Sequence, residues 1–413
     1  MSDDDEGIIV SPVRPSESTR LPAGSELIPH ELDPNGDAII IIPSRNSAPA
    51  KCFRVSTHVL SLASQAFMPL FTPNAMQDTN TLRMKTLQGV HHRAILEEDD
   101  PIAMEVILGI LHFQVPEVAG RMDARKLAKL AVHCDKYHCT RVISPYLADW
   151  FQKANPIPLP AEPSQIVDDD SDSPDGSDSS GSDDSSDSGK TKKLSEQLGL
   201  LLLAAHLFRD EKRFKDLSKA VQQSLAPTFS AEWERDKLLK LLPRPMKKQL
   251  ADKIKKCRSH LRDDLQRGVS HLLEQSETHK ISGDFCGHCG VVYSILPETR
   301  VCSDCEFTKF YPSYCSKDSR VGEYLENMGT VGLWPCTKSF ERYSISQLAK
   351  KVYKAKKNVF DDDIHECEGG NQCPLRLELA LLNKAFKQRS VSLEGLPLCL
   401  PPKTRKRVRD KAN

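Results

Sequence analysis

The chain has 413 residues, and its 57 acidic residues balance 57 basic ones, which excludes a uniformly basic nucleic-acid binder and a uniformly acidic solvating chain. No stretch reaches the roughly 20 apolar residues of a membrane helix; the longest candidate, Leu198 to Phe208, is too short and contains His206. The start, Met-Ser-Asp-Asp-Asp-Glu, is acidic where a secretory leader is basic, so the 13 cysteines are expected to be thiols or metal ligands, not disulfides.

Residues 1–29 lack periodicity and are expected to be disordered. A first ordered domain is placed at 30–152. Gly36-Asp37 forms a turn pair before Ala38-Ile-Ile-Ile-Ile42, whose β-branched run reads as a buried strand. Lys51 to Val55 reads as a second strand. Ser56 or Thr57 then caps a helix that is expected to turn Val59, Leu60, Leu62 and Ala63 inward. Phe67, Leu70 and Phe71 occupy a further helical turn that stops at Pro73, and the loop from Thr72 to His92 carries no pattern. Arg93 to Leu96 is a third strand. Glu97-Glu-Asp-Asp-Pro101 is an acidic first turn with proline at the first helical position. The helix it opens runs to Phe113, is apolar on nearly every side and belongs at the domain centre. Asp123 caps a helix with Leu127, Leu130, Cys134 and Tyr137 on one stripe, and Thr140 caps a last one holding Val142, Tyr146, Trp150 and Phe151.

Strands first and helices to the end give an α+β order. In that order the residues resemble a BTB/POZ domain of the form common in fungal proteins. The matching stations are Gly36-Asp37, then Phe53-x-Val55-x-x-His58-x-Leu60-x-x-x-Ser64-x-x-Phe67, then Asp99-Asp100-Pro101, and Leu130-Ala131-x-x-x-Asp135-Lys136-Tyr137. The resemblance covers 37–151. It implies a homodimer or a heteromeric contact through a helical face to which Val59, Leu62 and Ala63 contribute. It also places Asp37 and His58 at a pocket edge, where hydrogen bonding is expected and chemistry is not. Family adaptors of cullin-type ubiquitin ligases carry a hydrophobic-x-Glu step in the central helix. Ala103-Met104-Glu105 matches that step in part, which makes Met104 and Glu105 the residues a cullin would engage.

Residues 153–192 read as a linker. Asn155 to Pro163 is a stiff proline-rich spacer, and Asp168 to Ser188 is almost wholly Asp, Ser and Gly, with nothing to bury. Region 193–280 turns helical. Leu194, Leu198, Leu201, Leu202, Ala205 and Phe208 share one face, and Trp233, Leu238, Leu241 and Leu242 mark a second helix halted by Pro243 and Pro245. From Met246, Leu250, Ile254, Cys257, Leu261, Leu265, Val269 and Leu272 define a long amphipathic helix. Its outer face, with Lys247, Lys248, Lys253, Lys255, Lys256 and Arg258, is expected to be solvated and balanced by Asp263 and Asp264. No aromatic residues interleave with these lysines, so nucleic acid is not an expected partner.

Region 281–400 is a cysteine-rich module. Cys286-Gly-His-Cys289 and Cys302-Ser-Asp-Cys305 are two Cys-x-x-Cys pairs separated by twelve residues, the spacing of a four-thiolate structural zinc site. Gly290 supplies the freedom the first turn needs, Val291 to Leu296 reads as a strand, and His288 is expected to point outward. A second site is drawn from Cys315, His365, Cys367 and Cys373, with Cys336 as a competing ligand. A RING-type ligase, which would interleave two sites through a Cys-x-His step and a final cysteine pair, is not the expectation. Ser344-x-x-Gln347 is a capping box ahead of Leu348 and Val352, and Leu375, Leu379, Leu382 and Phe386 line a helix opened by Pro374. The tail 401–413, with Lys403 to Arg409, fits a nuclear-import signal.

No phosphate-binding glycine loop, Gly-x-Ser-x-Gly elbow or His-Glu-x-x-His occurs, so no catalytic residue is assigned. The expectation is a non-enzymatic interaction scaffold, nuclear or cytoplasmic or both, with structural zinc and no membrane. Two alternatives stand beside it: a cullin-ligase substrate adaptor, and a thiol oxidoreductase using Cys286 and Cys289, which would want a βαβ context the sequence lacks.

Overall fold

Five apolar residues in succession must be covered on both faces, and this places Ala38–Ile42 inside a sheet. Strands β1 (His30–Glu31), β2 (Ala38–Ile42), β3 (Lys51–Val55) and β4 (His92–Ile95) pair in the order β1-β3-β2-β4. All five β2 residues are buried. β2 runs antiparallel to β3, with Ile40 opposite Phe53, and parallel to β4, with Ile40 opposite Ala94. The structure is a computed structural model that describes residues 28–43, 50–71, 92–154, 187–293, 301–361, 365 and 367–398. The chain divides into two units, Met1–Pro156 and Ile157–Asn413. The N-terminal segment 1–27, the loop 72–91, the spacer and acidic tract within 155–186, and the basic tail lie outside the described residues.

In the first unit, α1 (Thr57–Ala63) starts at Ser56, whose side chain accepts from the Val59 N–H. Leu60 is buried, but Leu62 is 75% exposed, contrary to the inward orientation expected of it. A following 3-10 turn, Gln65–Phe71, buries Phe67 against the Tyr137 ring. α2 (Pro101–Leu111) is capped by Asp100, which accepts from the N–H groups of Ile102 and Ala103. Its residues from Ala103 to Leu111 are buried apart from Glu105, as an apolar circumference requires. The helix stops two residues before Phe113, which takes a positive φ of 60° and is 94% exposed. α3 (Ala124–Lys136) is capped by Asp123. The single last helix expected after Thr140 is two, α4 (Thr140–Ile143) and α5 (Leu147–Ala154), separated by a 3-10 turn, Ser144–Tyr146, that contains Pro145. Thr140 opens α4, and Cys139 stands at the cap without a side-chain hydrogen bond.

The second unit begins with α6 (Asp187–Leu207), which starts inside the stretch read as linker. α7 (Glu211–Ser224), capped by Asp210, has no counterpart in the sequence reading. The helix expected across Trp233 to Leu242 is instead α8 (Phe229–Trp233) and a 3-10 turn, Leu239–Leu241. Asp236 separates them, because its carboxylate accepts from the Leu238 and Leu239 N–H groups at 2.8 and 3.1 Å. α9 (Arg244–Glu274) buries the expected stripe, including Leu250, Ile254, Leu261, Leu265 and Leu272. Its polar face departs from expectation. Lys247, Arg258 and Asp264 are buried, Lys247 pairs with Glu234, and Asp264 takes a bidentate grip from Arg389 at 2.6 and 3.0 Å.

Strands β5 (His279–Cys286), β6 (Val292–Tyr293) and β7 (Phe310–Cys315) form an antiparallel sheet in the order β6-β5-β7. Four helices complete the unit: α10 (Lys317–Thr330), α11 (Cys336–Arg342), α12 (Ile345–Asp361) and α13 (Pro374–Val391). The capping box forms as read, with the Ser344 N–H on Gln347 Oε1 at 2.8 Å and the Gln347 N–H on Ser344 Oγ at 3.2 Å. Leu261 and Leu265 of α9 share one apolar cluster with Tyr324, Leu348, Val352, Leu379 and Phe386, so packing is continuous across residue 280. None of the described helices is long and apolar enough to cross a membrane.

Asp99 ties the turn before α2 to the end of α3. It is 6% exposed and accepts from Lys136 Nζ at 2.5 Å and from the Tyr137 hydroxyl, with His133 Nε2 at 3.4 Å. Burial alone would raise its carboxyl, but His133, Lys136 and Tyr137 outweigh burial and hold it down at about 2. A folded-state value below that of the unfolded chain adds stability above about pH 4 that is lost as pH falls towards 2. Asp99→Asn should therefore cost on the order of 2 kcal/mol at pH 7, and the difference should shrink below pH 4. Urea titration read by hydrogen exchange of β2 and α2 peptides at both pH values checks this.

Candidate metal centres

A Cys-x-x-Cys pair converges its sulfurs only if the chain turns tightly after the second cysteine, and two such turns face each other here. In the first, the Gly290 N–H donates to the Cys286 carbonyl at 2.9 Å and the Cys286 N–H to the Val291 carbonyl at 2.9 Å. In the second, the Glu306 N–H donates to the Cys302 carbonyl and the Cys302 N–H to the Phe307 carbonyl, both at 2.9 Å. The turns are the same in both, and both need the left-handed backbone one residue after the second cysteine: φ is 76° at Gly290 and 58° at Glu306. Glycine made the first position legible in the sequence, whereas nothing marks Glu306.

The facing turns bring Cys286 Sγ to 3.5 Å from Cys305 Sγ, and Cys289 Sγ to 3.4 Å from Cys302 Sγ. All four sulfurs lie within 4.8 Å of one another. Tetrahedral metal–sulfur bonds of about 2.3 Å put neighbouring sulfurs roughly 3.8 Å apart, whereas a disulfide needs about 2.05 Å. The spacing is that of ligands around a shared ion. Tyr293, on β6, fastens the two turns together: its oxygen accepts from the Ser303 N–H at 2.9 Å and sits 3.1 Å from Cys302 Sγ. That hydroxyl holds the Cys302 thiol down at about 6, while burial pushes Cys305 up to about 12. His288 is exposed, its ring lies 5.6 Å from that of Phe307 at a tilt of 36°, and it is not one of the four converging donors. Of the strand expected over Val291 to Leu296, only Val292–Tyr293 falls within the described residues as strand, and 294–300 lie outside them.

The second group assembles from three separated places. Cys315 ends β7, His365 and Cys367 follow α12, and Cys373 stands at the start of α13. Cys367 is positioned by a bridge to Ile281 of β5, and the Glu368 N–H donates to the Lys280 carbonyl at 2.8 Å. Cys315 Sγ lies 3.4 Å from His365 Nε2 and 3.7 Å from Cys373 Sγ, and His365 Nε2 is 3.2 Å from Cys373 Sγ. These four donors too lie within 4.8 Å of one another. Cys336, the competing ligand, is buried in the apolar cluster and takes no part.

Sequence reasoning missed Glu323 altogether. Its Oε2 sits 2.5 Å from His365 Nδ1, and its Oε1 accepts from Ser319 Oγ at 3.1 Å. A carboxylate on one imidazole nitrogen aims the other at a metal and raises its basicity. The Arg376 guanidinium fixes the same loop through the His365 carbonyl at 2.9 Å. Burial disfavours the imidazolium, yet Cys373 and Glu323 raise His365 to about 10, while the Cys315 and His365 contacts hold Cys373 down at about 3. An ion entering there finds one thiolate ready and displaces the remaining protons.

Both centres share one ladder. Cys286 pairs with Phe310 at one end of β5 and β7, and His279 pairs with Cys315 at the other. The groups therefore sit at opposite ends of β7, roughly 17 Å apart by strand rise.

The first unit's site residues are arranged otherwise. The Asp37 carboxylate accepts from the Thr57 N–H at 2.8 Å and Thr57 Oγ at 2.6 Å, and His58 is exposed. Val59 and Ala63 are half-buried beside the exposed Leu62. Met104 is wholly buried and Glu105 is paired with Lys51. No protein-family model matches the sequence, and neither a curated protein nor a solved structure matches the chain.

Glu323→Gln should weaken metal binding at the second group by roughly 10- to 100-fold and leave the first unchanged. Competition against a chromophoric chelator resolves the two classes of site. Cys302→Ser should remove one metal equivalent per chain by plasma mass spectrometry while keeping the second group loaded.

Proposed function

We propose that this protein is a non-enzymatic interaction scaffold. Its first unit acts as a BTB/POZ-like module that pairs with a second copy, and its second unit is held by two structural zinc ions. The observation that carries the pairing is Leu62. It is a large apolar side chain, 75% exposed, on the same face of α1 as Val59 and Ala63. Met68 extends the apolar surface into the turn that follows, at 53% exposed. Surfaces of this kind are where protein partners dock.

Zinc is favoured over other ions by the donor set. Four sulfurs in one group, and three sulfurs with one imidazole in the other, suit tetrahedral zinc sites that are closed and structural. The same convergence of four thiols argues against a dithiol oxidoreductase, which needs one accessible pair. A cullin-adaptor role would engage Met104 and Glu105, and neither offers a free contact. Action in the nucleus is supported by the basic run Lys403 to Arg409.

Light scattering coupled to size exclusion tests the pairing. The wild-type full chain should elute with the mass of a dimer, and Leu62→Asp should shift it towards the monomer with an unchanged circular dichroism spectrum. A monomeric wild type, or a folded variant of unchanged mass, would overturn self-association.

A further inference from the structure

A cysteine is oxidised where an oxidant can reach its thiolate and a second sulfur stands close enough to capture the product. A bound metal favours this, because it keeps its cysteine ligands deprotonated at neutral pH. Cys289 is the one exposed cysteine among the described residues. Its turn has an open side: a Cβ at Gly290, the next residue, would meet no atom within 4 Å. The other limb of the same turn is covered, since a Cβ at Gly287 would collide with the Tyr311 ring. Cys286 and Cys302 are each 1% exposed, and Cys305 is half-buried. Solvent therefore reaches the four-sulfur group chiefly from the Cys289 side.

Cys302 supplies the second sulfur. Its Sγ lies 3.4 Å from Cys289 Sγ, so a disulfide of about 2.05 Å needs roughly 1.4 Å of approach. The Tyr293 hydroxyl, 3.1 Å from Cys302 Sγ and bonded to the Ser303 N–H, keeps that sulfur in place. The second donor group lacks this combination. Cys315 and Cys373 are fully buried and His365 is 2% exposed, which leaves the half-buried Cys367 as its accessible thiol.

We propose that the four-sulfur centre is an oxidation site for hydrogen peroxide, at which a Cys289–Cys302 disulfide forms and the metal is released; this rests on zinc being bound there, as proposed above. The Cys289 thiolate attacks one peroxide oxygen, the O–O bond breaks, and a sulfenic acid and a hydroxide result. The Cys302 thiolate then attacks the sulfenic sulfur, forming the S–S bond and expelling a second hydroxide. The two sulfurs give up two electrons in all, the peroxide accepts them, and two solvent protons turn the hydroxides into water. Zinc leaves with its charge unchanged, because Cys286 and Cys305 offer two donors where a structural site uses four. The reaction is stoichiometric, unlike the turnover of an oxidoreductase, and a thiol reductant with fresh zinc resets the site.

The test uses the zinc-loaded full chain, with the ions per chain counted first by plasma mass spectrometry. Hydrogen peroxide is added beside a chromophoric chelator, free thiols are alkylated, and disulfides are mapped by peptide mass spectrometry. One ion should leave about tenfold faster than the other or more. A Cys289–Cys302 disulfide should appear at the same rate, and dithiothreitol with added zinc should restore the count. Cys289→His keeps four donors without the accessible thiol, and should slow the first release about tenfold. Cys305→His keeps both reacting thiols and should release as the wild type does. The proposal is overturned if both ions persist or leave together, or if the disulfide lacks Cys289. It is equally overturned if Cys289→His responds like the wild type, or if Cys305→His slows release to the same degree. Should Cys289→His not hold two ions, the wild-type map and Cys305→His decide the outcome. A chain that carries no zinc at the start overturns the zinc reading and this inference with it, so the initial count separates the two failures.

Discussion

Four side chains can close on one cation only where the backbone brings their donor atoms within a few ångströms of one another, and a single strand pair meets that constraint twice. β5 and β7 carry one donor group at each end of their ladder. The order of the second unit follows from this. The long α9 leads into β5, the two cysteine turns fall between β5 and β7, and α10 leaves β7 directly after Cys315. α12 then carries the chain back so that Cys367 can bridge to Ile281 and Cys373 can start α13. Remove the strand pairing, and neither group has a scaffold.

The two groups are embedded differently. Cys315 and Cys373 belong to the apolar cluster that α9, α10, α12 and α13 build together. The four-sulfur group stands outside that cluster, on a ribbon whose rigidity comes from paired turns and the Tyr293 hydroxyl. Charge is handled with similar economy along α9. Arg320 covers carbonyls just past its C-terminal end, and Asp264 links it to α13 through Arg389.

Much of this was legible in the sequence because it rests on short-range signals. The four β-branched residues of β2, the aspartate and proline opening α2, the Ser344–Gln347 box and the Cys-x-x-Cys pairs each act within a few residues. The outward turn of Leu62 was not legible, since a seven-residue helix with Leu60 buried has no room to enclose a second leucine on the opposite side. α7 escaped notice because its apolar positions are interrupted by exposed Lys212, Lys215 and Asp216 and by the buried polar residues Ser218 and Gln222. The breaks at Asp236 and Pro145 came from side-chain and ring chemistry that a hydrophobic period does not register. Glu323, Tyr293 and Glu306 act across sequence gaps or through backbone geometry, and a linear pattern carries neither.

With zinc bound at both donor groups, as proposed, their unequal burial would set two different clocks. Cys289 is exposed and Cys305 half-exposed, so an ion held there can be handed to a competing thiol one ligand at a time. Three of the four donors in the other group are buried, and His365 is locked by Glu323 on its far side. An ion there can leave only when the surrounding helices open, and its residence time becomes a property of local unfolding and not of ligand exchange. One strand pair thus couples a fast-exchanging centre to a slow one.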